Sequence, residues 1–139
     1  MPEFRLKVPI DVRFRDTDAM GHINNAVYLS YLEVARQHYL KQALGVAPYT
    51  RCELILARTE IDFRSPGFEG EDLEVAIRVA RLGTSSFDFA YEIRSRADQR
   101  LIVEARSVQV MFDYSVREKR PLSAAEKVAM RTFEGRNDL

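Results

Sequence analysis

Residues 16–25 read Asp-Thr-Asp-Ala-Met-Gly-His-Ile-Asn-Asn, and this turn-rich stretch divides two segments of different periodicity. Before it, apolar side chains occupy every second position from Phe4 to Phe14, which is typical of a strand with one solvated face. Pro9 removes one backbone donor, so this strand is predicted to lie at a sheet edge or to be bulged. After it, Asn25–Leu44 lacks glycine and proline, and apolar side chains recur every three or four positions. That pattern predicts a helix of roughly 30 Å.

The two ends of this helix carry recognisable signals. Asn24 or Asn25 is expected to cap its start, since asparagine accepts well from unpaired backbone amides. Lys41 suits the negative end of the helix dipole, and Gly45 is a typical stop. Because few charges lie between these ends, we expect the helix to be buried on most sides, with a sheet curling round it.

The rest of the chain indicates strands joined by short turns, which favours antiparallel neighbours. The last strand is apolar on both faces in its second half, as expected for a central strand. Ser123–Phe133 is predicted to be a short helix, because Ser123 and Glu126 have capping-box spacing. The four segments that follow the long helix and alternate in this way are Leu54–Arg64, Leu73–Ala80, Phe87–Arg94 and Leu101–Tyr114.

These elements predict an α+β fold: one long central helix wrapped by a five-stranded antiparallel sheet, with a short C-terminal helix. Residues 1–139 are expected to form a single domain, and residues 134–139 a frayed tail. Such a sheet leaves its edges open, so pairing with a second copy into a homodimer or homotetramer is expected.

Composition narrows the classes of partner. Lys plus Arg and Asp plus Glu each number 21, so the formal net charge is zero and offers no general attraction for nucleic acid. The single cysteine, Cys52, cannot form an internal disulfide, and no cluster has metal-ligand spacing. No apolar run resembles a signal peptide or a bilayer-spanning segment. We therefore expect a cytoplasmic protein with no metal, nucleic-acid partner or membrane partner.

Two carboxylates, one imidazole and two amides fall between the first strand and the start of the long helix. Unpaired amides at a helix start polarise a carbonyl and stabilise an oxyanion. A nearby carboxylate can activate water or attack a thioester, whose good leaving group requires neither a metal nor a strong nucleophile. The residues concerned are Asp16, Asp18, His22, Asn24 and Asn25.

The pattern Asp-x-Asp-x-x-Gly-His-x-Asn-Asn, followed by Tyr-x-x-Tyr-Leu-Glu-x-Ala-Arg, resembles the hotdog-fold thioesterases of the 4-hydroxybenzoyl-CoA thioesterase superfamily. The resemblance spans roughly Phe4–Tyr114. It implies acyl-CoA hydrolysis, with Asp18 as general base or nucleophile and the backbone N–H of Asn25, in the first helical turn, as oxyanion donor. Coenzyme A is then part of the substrate, and no separate cofactor is implied. The 4-hydroxybenzoyl-CoA enzymes continue with Pro-Ala-Gly after the aspartate, whereas this chain has Ala-Met-Gly, which weakens the case for an aryl substrate.

The resemblance also implies how substrate binds. The family's sites lie between subunits, so the partner's strand Leu54–Arg64, with Arg58 and Thr59, would line the acyl pocket. The turn Arg81–Phe87 resembles the one that helps to hold the pantetheine or nucleotide arm. The substrate-binding candidates are Asn24, Tyr28, Arg58, Thr59, Ser85 and Ser86.

Structural interpretations accompany these functional ones. Asp18 could simply cap the turn, and His22 could activate Asp18, bind substrate or only hydrogen-bond within the turn. Asp16 is expected to tie the turn to Arg13 or Arg15, and Cys52 has no recognisable partner as a nucleophile.

An acid in a mostly apolar helix is either ion-paired or functional, and for Glu33 the pair is favoured, with Arg36 or Arg64. Two other activities remain open: an enoyl-CoA hydratase or dehydratase on the same fold, and a non-catalytic acyl-CoA-binding protein. Thiol release, loss of a conjugated double bond, or binding without turnover would distinguish the three.

Overall fold

The computed structural model describes residues 3–46 and 53–139, so Cys52 lies outside the described residues. One sheet has the strand order β1-β3-β4-β5-β2, every neighbouring pair is antiparallel, and β6 pairs with the end of β5. The α+β prediction is confirmed, although the two-residue β6 was not predicted. The elements in chain order are β1 (Leu6–Asp11), a 3-10 helix (Phe14–Asp16), α1 (Val27–Leu44), β2 (Leu54–Phe63), β3 (Asp72–Leu82), β4 (Ser86–Ser95), β5 (Leu101–Asp113), β6 (Glu118–Lys119) and α2 (Ala124–Glu134).

The first strand lies at a sheet edge, as we predicted from Pro9, and Pro9 lies opposite Glu74 of β3. Pairing stops at Asp11, however, and a 3-10 helix begins at Phe14, which the period of two had placed in the strand. The backbone N–H of Arg13 donates to the carboxylate of Asp16 at 3.1 Å and closes this turn. The strand prediction was therefore too long because this local hydrogen bond competes with the ladder.

The inner face of the sheet carries the core. In β3 and β4 every second side chain is buried, and β5 lies between β4 and β2, which confirms its prediction as a central strand. A bulge between Leu56 and Arg58 shifts the register of β2 by one residue against β5. The fully buried apolar side chains on this face include Leu73, Val75, Ile77, Val79, Phe87, Phe89 and Ile93.

Helix α1 begins two residues later than predicted, and its N-cap is Ala26. Asn24 acts one step earlier: its side-chain oxygen accepts from the N–H of Ala26 at 3.0 Å, and its carbonyl accepts from Val27 at 2.9 Å. Asn25 therefore lies in the turn before the helix and not in its first turn, because Asn24 closes that turn with its own side chain. The end is as predicted, with Gly45 in the left-handed region at φ 73°.

Only one side of α1 is buried, which corrects the prediction of burial on most sides. Its buried residues pack towards β1, β3 and α2, whereas Leu29 is 46% exposed and Glu33 is exposed. No ion pair involves Glu33 among residues 3–46 and 53–139, because Arg36 donates to Tyr91 and Arg64 pairs with Glu104. The predicted Glu33 pair was therefore wrong. The side of α1 towards β2 stays open.

The C-terminal helix is fixed at both ends. Ser123 and Glu126 form the predicted capping box, and Gly135 ends the helix at φ 66°. The carboxylate of Glu134 is buried and accepts from the hydroxyl of Tyr39 at 2.7 Å and from the N–H of Val79 at 2.9 Å. Leu139 packs against the core and accepts from Arg131 at 2.7 Å. The segment expected to fray thus carries contacts, because Glu134 joins α1, α2 and β3.

Candidate active site

The loop after the 3-10 helix presents Asp18 on a short hairpin-like turn. Thr17 and Ile23 form an isolated antiparallel bridge, and the N–H of Asp18 donates to the carbonyl of His22 at 2.7 Å. Gly21, at φ 80°, supplies the left-handed residue that the reversal needs. Asp18 therefore lies at a defined position although it is solvent-exposed.

Its carboxylate is held by one oxygen. Oδ1 of Asp18 accepts from the backbone N–H of Met20 at 2.8 Å and from that of His22 at 3.2 Å. Oδ2 has no hydrogen-bond partner within the described parts of the chain. One oxygen thus orients the group, and the other is available to a water or a bound molecule.

The neighbouring carboxylate is a structural anchor. Asp16 is buried, and it accepts from the Arg13 guanidinium at 2.9 Å and from the hydroxyl of Tyr31 on α1 at 2.8 Å. Burial alone would raise the pKa of Asp16, but the hydrogen bonds from Arg13 and Tyr31 outweigh it and hold that pKa below the usual range. The expected tie to Arg13 is confirmed, while Tyr31 was missed because nothing in the sequence indicated a contact across 15 residues.

A second tyrosine of α1 fixes the other wall of the site. The hydroxyl of Tyr28 accepts from the N–H of Gly67 at 3.2 Å, and the carbonyl of Gly67 accepts from the N–H of Ile23 at 2.8 Å. A Cβ added at Gly67 would lie 2.5 Å from Cδ1 of Ile23 and 3.1 Å from the hydroxyl of Tyr28, so a larger residue here would require these side chains to move. The Asp18 loop, the start of α1 and the β2–β3 loop are thereby joined.

These elements enclose a cavity of about 420 Å³, called here the Asp18 cavity. Asn25 lies on it, and the backbone N–H of Asn25 has no partner within the described residues. Two residues that line one cavity beside a helix start thus carry unpaired groups, an open carboxylate oxygen on Asp18 and a free backbone amide on Asn25, and an amide that meets a carbonyl oxygen would polarise it. The cavity is lined by Asp18, His22, Ile23, Asn25, Tyr28, Phe63, Arg64, Ser65 and Pro66.

His22 lies in the cavity wall, but its hydrogen bonds to Asp18 run through its backbone. Its ring meets Phe68 edge to face at a centroid distance of 5.1 Å. Of the three roles considered for His22, the structure shows the hydrogen bonding within the turn. A role towards substrate stays a prediction.

The other predicted binding residues do not line the Asp18 cavity of the same chain. Asn24 caps the turn before α1, and Arg58 forms an ion pair with Glu60. Thr59 lies on β2, and its hydroxyl oxygen is buried with no hydrogen-bond partner in the described part of the chain. Ser85 and Ser86 lie at the end of the sheet remote from Phe63, where the hydroxyl of Ser86 accepts from Arg81 at 3.0 Å. The resemblance had placed them in a site shared by two subunits, so they stay predictions.

Five cavity residues were not predicted as part of the same chain's site: Ile23, Phe63, Arg64, Ser65 and Pro66. The Ser-Pro-Gly turn that ends β2 was visible in the sequence, but its return to the start of α1 depends on tertiary contacts. Within residues 3–46 and 53–139, no group of three or more His, Cys, Asp or Glu side chains could hold a metal ion. Neither described helix has the length and apolar character needed to cross a membrane.

Comparison with known proteins identifies the family. A thioesterase crystallised with coenzyme A and Zn from Thermus thermophilus is 33% identical, superposes with a TM-score of 0.85, and matches over 98% of each chain. A 1,4-dihydroxy-2-naphthoyl-CoA hydrolase from Crocosphaera subtropica is 25% identical over 81% of this chain and 85% of its own. A chloroplastic acyl-acyl carrier protein thioesterase from Arabidopsis thaliana is 29% identical over 84% of this chain.

The chain spans 63% of that plant protein and 56% of the Bacillus subtilis protein YsmA, which is 27% identical over 82 residues. The model of the thioesterase-like superfamily matches residues 12–131, which include the Asp18 loop, α1 and the strands β2 to β5. The chain therefore belongs to the thioesterase-like superfamily.

Proposed function

We propose that this protein hydrolyses acyl-CoA thioesters in the Asp18 cavity. The observation that carries the proposal is that Asp18 and Asn25 line one cavity, and that each has an unpaired group, Oδ2 of the Asp18 carboxylate and the backbone N–H of Asn25. An electrophilic carbonyl that accepts from Asn25 would present its carbon to a water held by Asp18.

The reaction needs no more than these groups. As general base, Asp18 takes a proton from water, the water oxygen bonds to the carbonyl carbon, the carbon–sulfur bond breaks, and the proton passes to the departing sulfur to give the thiol. As nucleophile, Asp18 would instead bond to that carbon itself while the carbon–sulfur bond breaks and the thiolate leaves; water would then split the anhydride, giving the free acid, restoring the Asp18 carboxylate and supplying the proton of the thiol. Both roles use Oδ2 and the same amide, so the proposal covers either one.

Coenzyme A is favoured as the thiol carrier by the related thioesterase that was crystallised with it. The naphthoyl-CoA hydrolase is a relative of similar length, whereas the acyl carrier protein thioesterase extends well beyond the matched region. We therefore expect acyl-CoA to be a better substrate than the acyl carrier protein thioester.

A second copy of the chain is expected to complete the site. Exposed apolar side chains follow the open side of α1 and the edge strand β2, where they would be buried by edge-to-edge pairing. Pairing through β2 would bring Arg58 and Thr59 of one copy towards the site of the other. The exposed apolar residues concerned are Leu29, Ile55, Leu56 and Phe63.

The test is the rate of thiol release from a panel of acyl-CoA thioesters by the wild-type protein and by Asp18→Asn. We expect Asp18→Asn to lower turnover about 10²–10⁴-fold, because the amide can neither take a proton nor attack. Asp11→Asn, which alters an exposed carboxylate at the end of β1, is the matched control and should retain full activity. Circular dichroism and light scattering should show an unchanged fold and oligomeric state in both variants.

Near-normal turnover by Asp18→Asn would remove the proposed centre. Loss of the conjugated double bond of an enoyl-CoA without thiol release would instead indicate a hydratase. Tight acyl-CoA binding without turnover would indicate a binding protein.

A further inference from the structure

A second cavity, of about 240 Å³, opens between α1 and β2 and is called here the Arg36 cavity. Leu54, Leu56 and Phe89 give it apolar walls, while Arg36 and Gln109 contribute polar groups. Arg36 lies nine residues into α1 from Val27, which is about 14 Å along the helix axis. Like the Asp18 cavity, it opens on the side of α1 that β1, β3 and α2 leave uncovered.

A chain of hydrogen bonds runs from this cavity into the core. Arg36 donates to the hydroxyl of Tyr91 at 3.2 Å, and the side-chain amide of Gln109 donates to the carbonyl of Phe87 at 3.1 Å. Between them, Ser107 donates to Oε1 of Gln109, so its single proton is used and Tyr91 must donate to Ser107. Tyr91, Ser107 and Gln109 are at most 2% exposed.

This series of hydrogen bonds has one direction, with each hydroxyl accepting from one neighbour and donating to the next. The hydrogen bonds therefore fix the positions of the side chains in the series, and the guanidinium of Arg36 is held at the end that borders the cavity. Tyr91 occupies one N–H of Arg36, while a guanidinium carries five. No carboxylate lies within 4.0 Å of Arg36 in the parts of the chain that the structure describes. Donor capacity thus remains at the wall of an apolar cavity.

A second polar group lies on the neighbouring strand β2. The hydroxyl oxygen of Thr59 is buried and has no hydrogen-bond partner among the described residues, and Thr59 lies opposite Ser107 in the β2–β5 ladder. Side chains of directly opposed residues share one face of a sheet, so the Thr59 hydroxyl lies on the same face as the side chain of Ser107. A buried hydroxyl without a partner is less stable than one that is hydrogen-bonded.

We propose that the Arg36 cavity recognises a neutral oxygen, a hydroxyl or a ketone, on the acyl group at a distance from the thioester. Arg36 supplies the hydrogen bond, and the Tyr91–Ser107–Gln109 chain holds Arg36 in place. Glu33 also lines this cavity, so its negative charge opposes that of Arg36 and weakens the attraction for a distal carboxylate. The inference rests on the proposed function, since it names the class of acyl group that the same hydrolase would prefer.

The experiment compares kcat/KM for four thioesters of equal chain length: dodecanoyl-CoA, its ω-hydroxy form, the methyl ketone and the ω-carboxylate. We expect about tenfold preference for the hydroxy or ketone form over the plain chain, the effect of one good hydrogen bond. Arg36→Met should abolish this preference, so that the oxygenated and plain chains are hydrolysed with equal kcat/KM, whereas Arg36→Lys should restore part of it. Lys41→Met, which removes an exposed cation from the same helix, is the matched control.

Equal kcat/KM values for the plain and oxygenated chains in the wild-type protein would overturn the inference, as would a preference that survives in Arg36→Met. A preference for the carboxylate would also overturn it. If no thioester is hydrolysed, the proposed function fails, and calorimetric affinities for the same four compounds still decide the subsite. A variant that changes all four rates equally indicates a structural role alone and contradicts the inference.

Discussion

The two sides of α1 have different tasks. On the closed side, Leu32, Ala35 and Tyr39 are fully buried against the core. On the open side, Leu29 and Glu33 remain exposed, and the Asp18 and Arg36 cavities follow one another. This difference indicates that the buried side of α1 contributes mainly to the stability of the fold, whereas the open side borders the two cavities. Substitutions on the two sides should therefore have separable effects.

The largest expected effect separates two leucines of α1. Leu32→Ala should lower the free energy of unfolding by about 3 kcal/mol, because it leaves a cavity in a fully packed site. Leu29→Ala removes the same atoms from a position that is 46% exposed in the single chain, and should lower the free energy of unfolding of the unpaired chain by less than about 1 kcal/mol. Urea unfolding at a fixed protein concentration measures both, and equal losses would contradict the division of α1 into two sides.

A smaller effect separates two carboxylates that lie two residues apart. Asp16→Asn weakens the charge-assisted bonds from Arg13 and Tyr31 and should lower the free energy of unfolding by about 2 kcal/mol. Asp18→Asn alters an exposed side chain and should change it by less than about 0.5 kcal/mol. Chemical denaturation of the two variants side by side is the measurement, and a larger loss in Asp18→Asn would show that the structural roles are reversed.

The smallest effect concerns pH and lies away from the site. Hydrogen bonds from Arg120 outweigh burial and, with those from Ser123, hold the pKa of Glu126 at about 2. The unfolded value is about 4.3, so this pair stabilises the fold above that pH and is lost as the pH falls towards 2. Because the pair is partly exposed, we expect a loss of about 1 kcal/mol.

Thermal unfolding as a function of pH measures this loss, with Glu126→Gln as the matched variant. The variant should be less stable than the wild-type protein at neutral pH, and the two curves should converge in acid. A constant difference between the curves would show that Glu126 does not titrate as described.

The sequence predicts most of the fold because its signals are local. The end of α1 was predicted from Gly45 and the start of α2 from the Ser123–Glu126 capping box, and both signals act within a few residues. The errors came from competing local bonds and from tertiary packing. Strand β1 is shorter than predicted because of the turn that Arg13 and Asp16 form, and α1 begins later than predicted because the Asn24 side chain closes the preceding turn. Which side of α1 is covered depends on the position of the sheet.

The site was harder to predict than the fold. The motif brought Asp18, His22 and Asn25 together, since they lie within eight consecutive residues. The contacts that hold them are distant in the chain: Tyr31 with Asp16, and Tyr28 with Gly67. The series of hydrogen bonds from Arg36 through Tyr91 and Ser107 likewise joins one helix to two strands, and no periodicity in the sequence indicates it.

The most direct test of the central geometry is a crystal structure of Asp18→Asn with an acyl-CoA analogue that has a methylene group between carbonyl and sulfur. The analogue cannot be hydrolysed, so it would show where a substrate carbonyl lies. We predict its carbonyl oxygen about 3 Å from the backbone nitrogen of Asn25, with residue 18 beside the carbonyl carbon. A carbonyl bound outside the Asp18 cavity, with the Asn25 amide still free, would contradict the account.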